Sequence, residues 1–402
     1  MMKQRIRFVR QVVFIVCLFG ILFSYAMFQG GFVSWFLFYS FLPFGLYSLT
    51  IVFYPLHKLK IVRIVNQQQY HAGDRFNVTI QMTAPIFFPI VYIIAEDEWP
   101  PSIQMHYQRQ NAKTILSPLW KKEFSWTYEL RELPRGEHVF STIRLKMTDF
   151  FGLVEKEVTY SAENTILVYP RYVEMTYRKV GQRFDQGVTA SPLLLHRDMT
   201  IAVGVREYAQ GDRFSWIHWK ASARKNELMT KDFEERQSED LIVFLNRTPT
   251  PLFEDMVTLS ASLIRAAIKK GVQTGFVSVG SDRVIFPARD GEAHLHRLFY
   301  YLAKVTCDGS EPFARIIQKE IMQWPAAFSF CYVTSSLDKE LISVLSDVAS
   351  RNRYGTVFLI KDQETCLSKE ERGMIEQLRR RGVVTIVTER RNFADALVKG
   401  GK

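Results

Sequence analysis

Apolar residues dominate the first stretch of the chain and then fall into two different rhythms. Between Arg10 and Lys58 there is no Lys, Arg, Asp or Glu. The apolar stretch from Phe8 to Tyr54 divides at Gln29-Gly30-Gly31 into FVRQVVFIVCLFGILFSYAMF and FVSWFLFYSFLPFGLYSLTIVFY. Each half matches the roughly 20 residues that cross a bilayer core. Backbone groups in lipid must bond within their own segment, so the pattern predicts two transmembrane helices joined by a tight turn over residues 1–57. No small-x-small cleavage site follows the first run, as a signal peptide would need.

From residue 58 to 170 the rhythm becomes period two. In RFNVTIQMT, Phe76, Val78, Ile80 and Met82 alternate with polar neighbours. IVYIIAEDEW, KKEFSWTYEL, EHVFSTIRLKM and TILVYP continue it between the turns AGD, LPRGE and FFGL. Strands of this kind predict an antiparallel β-sandwich. Residues 171–238 have no clear period and read as a linker followed by a dense motif. Over 239–402, short all-apolar runs (LIVFLN, GFVSVG, FSFCYVT, GTVFLI, VVTIVT) alternate with helical patterns, including Asp255–Lys270, His294–Val305, Pro312–Met322 and Asn392–Val398. Buried strands alternating with helices predict a doubly wound, parallel α/β domain.

Charge sharpens the first element. Lys3, Arg5, Arg7 and Arg10 precede the apolar run, and Lys58, Lys60 and Arg63 follow it. The positive-inside rule then places both termini and the bulk of the chain in the cytoplasm, with the hairpin in the cell membrane. The formal charge is +11, but without those seven residues 45 Lys/Arg face 41 Asp/Glu, a balance of +4. The basic excess is therefore membrane-orienting, and no nucleic-acid partner is expected. Cys17, Cys307, Cys331 and Cys366 form no CxxC or zinc spacing and read as free thiols.

The motif at Arg206–Asn226, REYAQGDRFSWIHWKASARKN, is the densest chemistry in the chain. Asp212 is placed to cap a short helix. On a continuous helix Arg213, Lys220 and Arg224 lie within about 40° of each other, beside Trp216 and Ile217. Such a stripe either pairs with Glu207, Asp232, Glu234 or Glu235 as a clasp between domains, or grips an acidic partner. An enzymatic alternative, a hydrolase or transferase, would use Asp212, His218 and Lys220. An anionic-lipid or nucleic-acid binder would use the same cations. GDRF recurs at Gly73–Phe76 and Gly211–Phe214, so by itself it signals turn chemistry.

R-x-Y-x-x-GD followed by I-x-W-K-A-S-A-R resembles the bacterial family called domain of unknown function 58. Arg206, Tyr208, Gly211, Asp212, Ile217, Trp219, Lys220, Ala221, Ser222, Ala223 and Arg224 carry the likeness, with RGEHVF, DFFGL (Asp149–Leu153) and VYPRYV (Val168–Val173) upstream. The resemblance implies a von Willebrand factor A-like C-terminal half. It also implies a MoxR-type AAA+ ATPase as partner, with a transglutaminase-like membrane protein as a second, and an adaptor or assembly role without catalysis. Arg206, Tyr208, Gly211, Asp212, Trp216, Trp219, Lys220, Ser222 and Arg224 are the expected docking positions.

A von Willebrand A domain holds Mg²⁺ through D-x-S-x-S after its first buried strand. Here that place reads Asn246-Arg247-Thr248-Pro249-Thr250, and the fourth buried strand ends Thr334-Ser335-Ser336 where an Asp is expected. Asn246, Thr248, Thr250 and Ser335 are thus positions of a degenerate metal site. Without either carboxylate, and with Arg247 among the would-be ligands, no metal or other cofactor is expected. His294-x-His296 lacks a third ligand, Ser336-x-x-Lys339 reads as a helix cap in which Ser precedes Asp338, and no Gly-rich phosphate loop occurs. The carboxyl ends of the α/β strands, with Asn246–Thr250 and Thr334–Ser336, are the expected docking face.

Overall fold

The computed structural model describes residues 2–66, 69–107, 112–177, 202–209, 212, 214–233, 240–325, 328–351, 353, 355–362, 367–389 and 393. They form two compact units, Met1–Arg171 and Tyr172–Lys402.

The first unit begins with two apolar helices, α1 (Met2–Gln29) and α2 (Phe32–Phe53). Their apolar stretches, Arg10–Gln29 and Phe32–Phe53, are long enough to cross a membrane. Gly30, at φ +66°, turns the chain between them. A Cβ on Gly45 would come within 2.0 Å of the Phe19 ring, so glycine lets the helices close there. Eight strands follow: β1 (Lys60–Val65), β2 (Tyr70–His71), β3 (Phe76–Thr83), β4 (Ile93–Asp97), β5 (Ala112–Leu116), β6 (Glu123–Leu130), β7 (Gly136–Thr148) and β8 (Glu155–Tyr169), with a short helix α3 (Pro101–His106) after β4. They build two sheets, ordered β1-β3-β6 and β2-β8-β7-β4-β5. Phe76, Val78, Ile80 and Met82 all turn inward, as the alternation predicts. They share one core with Phe140, Ile143 and Leu145 of the other sheet, and the Phe76 and Phe140 rings lie 5.7 Å apart. The expected all-antiparallel pairing fails at one place. The chain leaves the first sheet after β1 and arrives beside the end of β8 running the same way, so β2 pairs with β8 in parallel.

Arg63 overturns its expected role as a membrane flank. It shares the inward phase of β1 with Ile61 and Val65 and is buried. Its guanidinium meets Asp97 at 2.6 and 3.2 Å and the Phe140 carbonyl at 3.4 Å, and also bonds the Ala162 carbonyl. Tyr128 donates to the same carboxylate at 2.6 Å. Burial, then the Asp97 charge, drives the Tyr128 phenol pKa upward.

In the second unit β9 (Ala202–Glu207) and β10 (Met229–Phe233) form a two-stranded ribbon, with the short helix α4 (Trp219–Lys225) between them in sequence. The remainder alternates: β11 (Leu241–Asn246), α5 (Phe253–Lys269), β12 (Thr274–Val279), β13 (Arg283–Arg289), α6 (Glu292–Lys304), α7 (Phe313–Glu320), β14 (Ser329–Thr334), α8 (Lys339–Ser350), β15 (Gly355–Lys361), α9 (Lys369–Arg380) and β16 (Val384–Glu389). The sheet order is β13-β12-β11-β14-β15-β16. All six residues of β11 are buried, as a strand covered on both faces requires. Five strands are parallel; β13 is an antiparallel edge. The three residues between β12 and β13 are too few for a crossover, so only a hairpin fits. Of the helix expected at Asn392–Val398 only Phe393 is among the described residues, and it is buried.

Candidate functional site

Strand order decides where a ligand surface can form. From β11 the chain moves outward to β12 and β13, then returns to β14 on β11's other side. The order reverses there, and the loops after β11 and β14 diverge to leave a crevice. A cleft of about 280 Å³ occupies that place, lined by Thr248, Thr250, Ser335, Ser336, Lys361 and Asp362 among others.

Asn246 organises the cleft from below. Its side chain is buried, and Nδ2 donates to Thr334 Oγ1 at 3.1 Å, joining β11 to β14. Its Oδ1 accepts from the Thr248 amide at 3.0 Å and the Thr248 hydroxyl at 2.7 Å. Ser335 donates to Thr250 Oγ1 at 3.2 Å across the cleft. Lys361 pairs with Glu371, whose other oxygen caps α9 through the Ser368 amide. The four expected positions of the degenerate metal site are therefore brought together, but as a cluster of neutral groups bonded in two pairs, Asn246 with Thr248 and Ser335 with Thr250.

Arg247 corrects the sequence picture, because it turns away from that cluster. It is buried, and its guanidinium reaches the Thr306 carbonyl at 2.9 Å, Asp308 at 2.5 Å, Tyr301 Oη at 3.3 Å and Asp282. The loop after β11 is thus tied to the β12–β13 turn and to the segment after α6. A Cβ on Gly280 would meet Asp308 at 2.4 Å and the Arg247 guanidinium at 2.5 Å, so the glycine makes room for the pair. Burial alone would raise the Asp308 pKa, but the Ser281 hydrogen bond and the Arg247 charge outweigh it and hold the carboxyl below its usual range.

The motif after β9 is arranged differently from its expected continuous helix. Phe214–Trp216 is a single 3₁₀ turn, Ile217 bridges Thr230 of β10, and His218 donates its amide to the Met229 carbonyl at 2.8 Å. Only then does α4 begin. Its cap is His218, whose Nδ1 accepts from the Ala221 amide at 3.1 Å, not Asp212. The competing strand bridge breaks the helix, so the stripe from Arg213 to Arg224 is not built on one wheel. Arg213 and Gly211 lie outside the described residues.

Asp212 closes a turn instead. Its amide donates to the Ala209 carbonyl and its Oδ2 accepts from the Ala209 amide, both at 3.0 Å. Arg206 grips the carboxylate with two bonds of 2.8 and 2.7 Å. The Arg206 hydrogen bonds, then the Ala209 amide, hold the Asp212 carboxyl below the usual range. The earlier GDRF repeats the turn: Asp74 donates to the His71 carbonyl at 3.0 Å and accepts from the His71 amide at 2.7 Å. Ser222 Oγ accepts from the Met229 amide at 2.9 Å, fastening α4 to β10. Tyr208 stacks on Phe214 at 6.3 Å. Trp216 is half-buried, whereas Trp219, Lys220 and Arg224 are exposed. Lys220 and Arg224 have no acidic partner among the described residues.

The remaining sequence candidates resolve simply. His294 is buried with Nε2 at 2.7 Å from the Thr274 carbonyl, and His296 is exposed. Asp338, not Ser336, caps α8, through the Leu341 amide at 2.6 Å. Ser336 instead lines the cleft.

An α/β sheet with a polar cleft at its order reversal, joined to an Arg–Asp-locked motif, matches a family model over residues 204–397, described as "Protein of unknown function DUF58". The chain belongs to this family. It is 35% identical over 376 residues to the uncharacterized protein YeaD of Bacillus subtilis (strain 168), covering 93% of this chain and 94% of that one. Among solved structures, the CARDB domain of the PF1109 protein from Pyrococcus furiosus matches 28% of this chain and 92% of its own at 11% identity and a TM-score of 0.21. Cwp6 from Clostridium difficile matches 85% and 55% at 10% identity and a TM-score of 0.18. Likenesses of that size carry no argument.

Proposed function

We propose that the protein is a non-enzymatic adaptor of the cell membrane. On this reading α1 and α2 anchor it as a transmembrane hairpin with both termini cytoplasmic. The two-sheet region is a β-sandwich spacer, and the α/β region is a von Willebrand factor A-like domain that presents its cleft to a protein partner. The observation that carries the reading is the cleft itself: hydroxyls of Thr248, Thr250, Ser335 and Ser336, with Lys361 and Asp362, at the order reversal of the sheet. Such a rim offers donors and acceptors to a peptide segment without a buried nucleophile–base pair.

The four positions of the degenerate metal site, Asn246, Thr248, Thr250 and Ser335, carry no carboxylate and do not fit Mg²⁺, and the described lining of the cleft adds one carboxylate, Asp362. A dication needs carboxylate oxygens to offset its dehydration. Asn246 Oδ1 already takes both Thr248 bonds, and Ser335 bonds Thr250. Peptide recognition through hydroxyls suits these groups better. The hydrolase or transferase alternative is disfavoured because Asp212 is committed to Arg206 and His218 Nδ1 to the Ala221 amide. The family resemblance makes a MoxR-type AAA+ ATPase the partner of choice, with a transglutaminase-like membrane protein second. Exposed Trp219, Lys220 and Arg224 supply a second contact surface on the same unit.

The test is photo-cross-linking in membranes, with a photoreactive residue at Ser335, at Lys220, or at exposed Glu132 as a control. The reading expects an AAA+ ATPase captured from Ser335 and not from Glu132. Capture equal at all three positions, or none from Ser335 while Lys220 captures the ATPase, removes the cleft as the docking face.

A further inference from the structure

The anchored region has a second apolar feature besides its helices. Strand registers pair Lys60 with Thr83, Thr83 with Glu123, Ile93 with both Leu116 and Met147, and Thr148 with Glu155. The loops at 84–92, 117–122 and 149–154 therefore emerge from one end of both sheets, the end where the chain enters from α2. Their tips are Ile86-Phe87, Leu119-Trp120 and Phe150-Phe151, and all six side chains are at least half exposed. The tips are locked together. Ile90 and Leu119 exchange backbone bonds of 3.0 and 2.8 Å, and the Phe87 and Trp120 rings lie 5.4 Å apart. Leu119 sits at φ +50°, in the left-handed region where a water-facing turn favours glycine or asparagine.

These tips continue the surface of α2. Phe151 packs on Phe41 and Phe44 at 6.3 and 5.4 Å, and Phe150 on Phe44 and Tyr47 at 6.1 and 5.7 Å. Below that level one face of α2 packs on protein, with Ser48, Ile51 and Val52 buried and Ser48 donating to Asp149 at 2.6 Å, while Leu46, Thr50 and Phe53 stay exposed on the other. From Phe32 to Phe44 a helix rises only about 20 Å, less than the roughly 30 Å of a hydrocarbon core. A bilayer that meets α2 must reach down to the loops or thin beside them. Trp and Phe suit that interface. The loops' single acid, Asp149, is buried, while Lys121 and Lys122 next to Trp120 are exposed. Lys58 and Lys60 are exposed where the chain leaves α2.

We infer that these three loop tips are a second membrane-contact site, inserted into the headgroup–acyl boundary of an anionic bilayer around the foot of α2. The inference rests on the anchoring proposed for α1 and α2. The three-loop rim then holds the sheet region against the membrane, with lysines at headgroup level.

The experiment uses the full chain with its cysteines replaced by serine, in vesicles of phosphatidylethanolamine and phosphatidylglycerol. A fluorophore is placed on Phe87→Cys, Trp120→Cys or Phe151→Cys, on Ile21→Cys within α1, or on Glu132→Cys at the opposite end of the strands. Lipids brominated near the carbonyl or near the acyl terminus act as quenchers. The three tips should lose fluorescence to the shallow quencher more than to the deep one, Ile21 to the deep one, and Glu132 to neither. If Ile21 is quenched while the tips are not, the loop site is wrong and the anchor stands. If Ile21 also escapes both quenchers, the anchor reading falls and takes this one with it. Tips shielded from an aqueous quencher yet untouched by brominated lipid are covered by protein, either a second copy or a partner, which also overturns the inference.

Discussion

Among the described residues two arginines are buried, one in each unit, and they are used differently. Arg63 is enclosed together with its acid: the side chains of Arg63 and Asp97 are both 0% exposed. Arg247 is 3% exposed, but Asp282 and Asp308 keep 51% and 32% of their surface. The first pair has no access to water and joins strands from both sheets. The second is half a surface feature, in which a buried cation pins loops whose acids still face solvent. A buried pair of the first kind gains little stability over apolar residues but is costly to break. One of the second kind shapes a surface, and here it ties the loop after β11 to the β12–β13 turn and to the segment after α6.

The sharpest way to break this contrast is Arg63→Met. It strands Asp97 and should cost roughly 3–5 kcal/mol, read by denaturant unfolding of the full chain in detergent. Arg63→Met with Asp97→Leu should recover most of that; no recovery would mean the packing, not the charge, was lost. Arg247→Met should cost less, about 1–3 kcal/mol, since Asp282 and Asp308 can rehydrate, but it should expose the Asn246–Thr250 loop to protease. Equal losses at Arg63 and Arg247 would erase the distinction.

Ser222→Ala leaves the Met229 amide without its partner and should cost about 1 kcal/mol, with α4 and β10 exchanging their amide hydrogens faster. The smallest effect is acid-dependent. Asp212 has a lowered native pKa, caused first by the Arg206 hydrogen bonds. Its contribution is complete above the unfolded value of about 3.9 and is lost as pH falls through the lower native value. Comparing wild type with Asp212→Asn, the stability difference should vanish at the acid end and be constant near neutrality; a difference that grows on acidification would reverse the sign.

Much of the architecture was legible because it follows from periodicity. The two apolar runs became α1 and α2, the inward phase of β3 was read correctly, and buried strands marked the α/β sheet. Arg63 was misread even though it shares the inward phase of Ile61 and Val65, because its proximity to the apolar run suggested a membrane flank. Its partner Asp97 lies 34 residues away, and nothing local announces the pair. The motif misled for a related reason. A helical wheel assumes an unbroken helix, whereas the Ile217–Thr230 bridge is a contact with a later strand that no spacing within the segment reveals. The doubled GDRF did carry its meaning, and both copies form the same Asp-closed turn. Arg247 shows the limit: position put it among hydroxyl groups, but space left by Gly280 let it turn to Asp308.

The most direct test is binding of the full chain, reconstituted in nanodiscs, to the purified MoxR-type AAA+ ATPase of the same organism, comparing wild type with a cleft-filling Ser335→Trp of unchanged stability. The adaptor account predicts saturable binding by wild type and its loss in the variant. Binding that survives a filled cleft, or no binding by wild type, would contradict it.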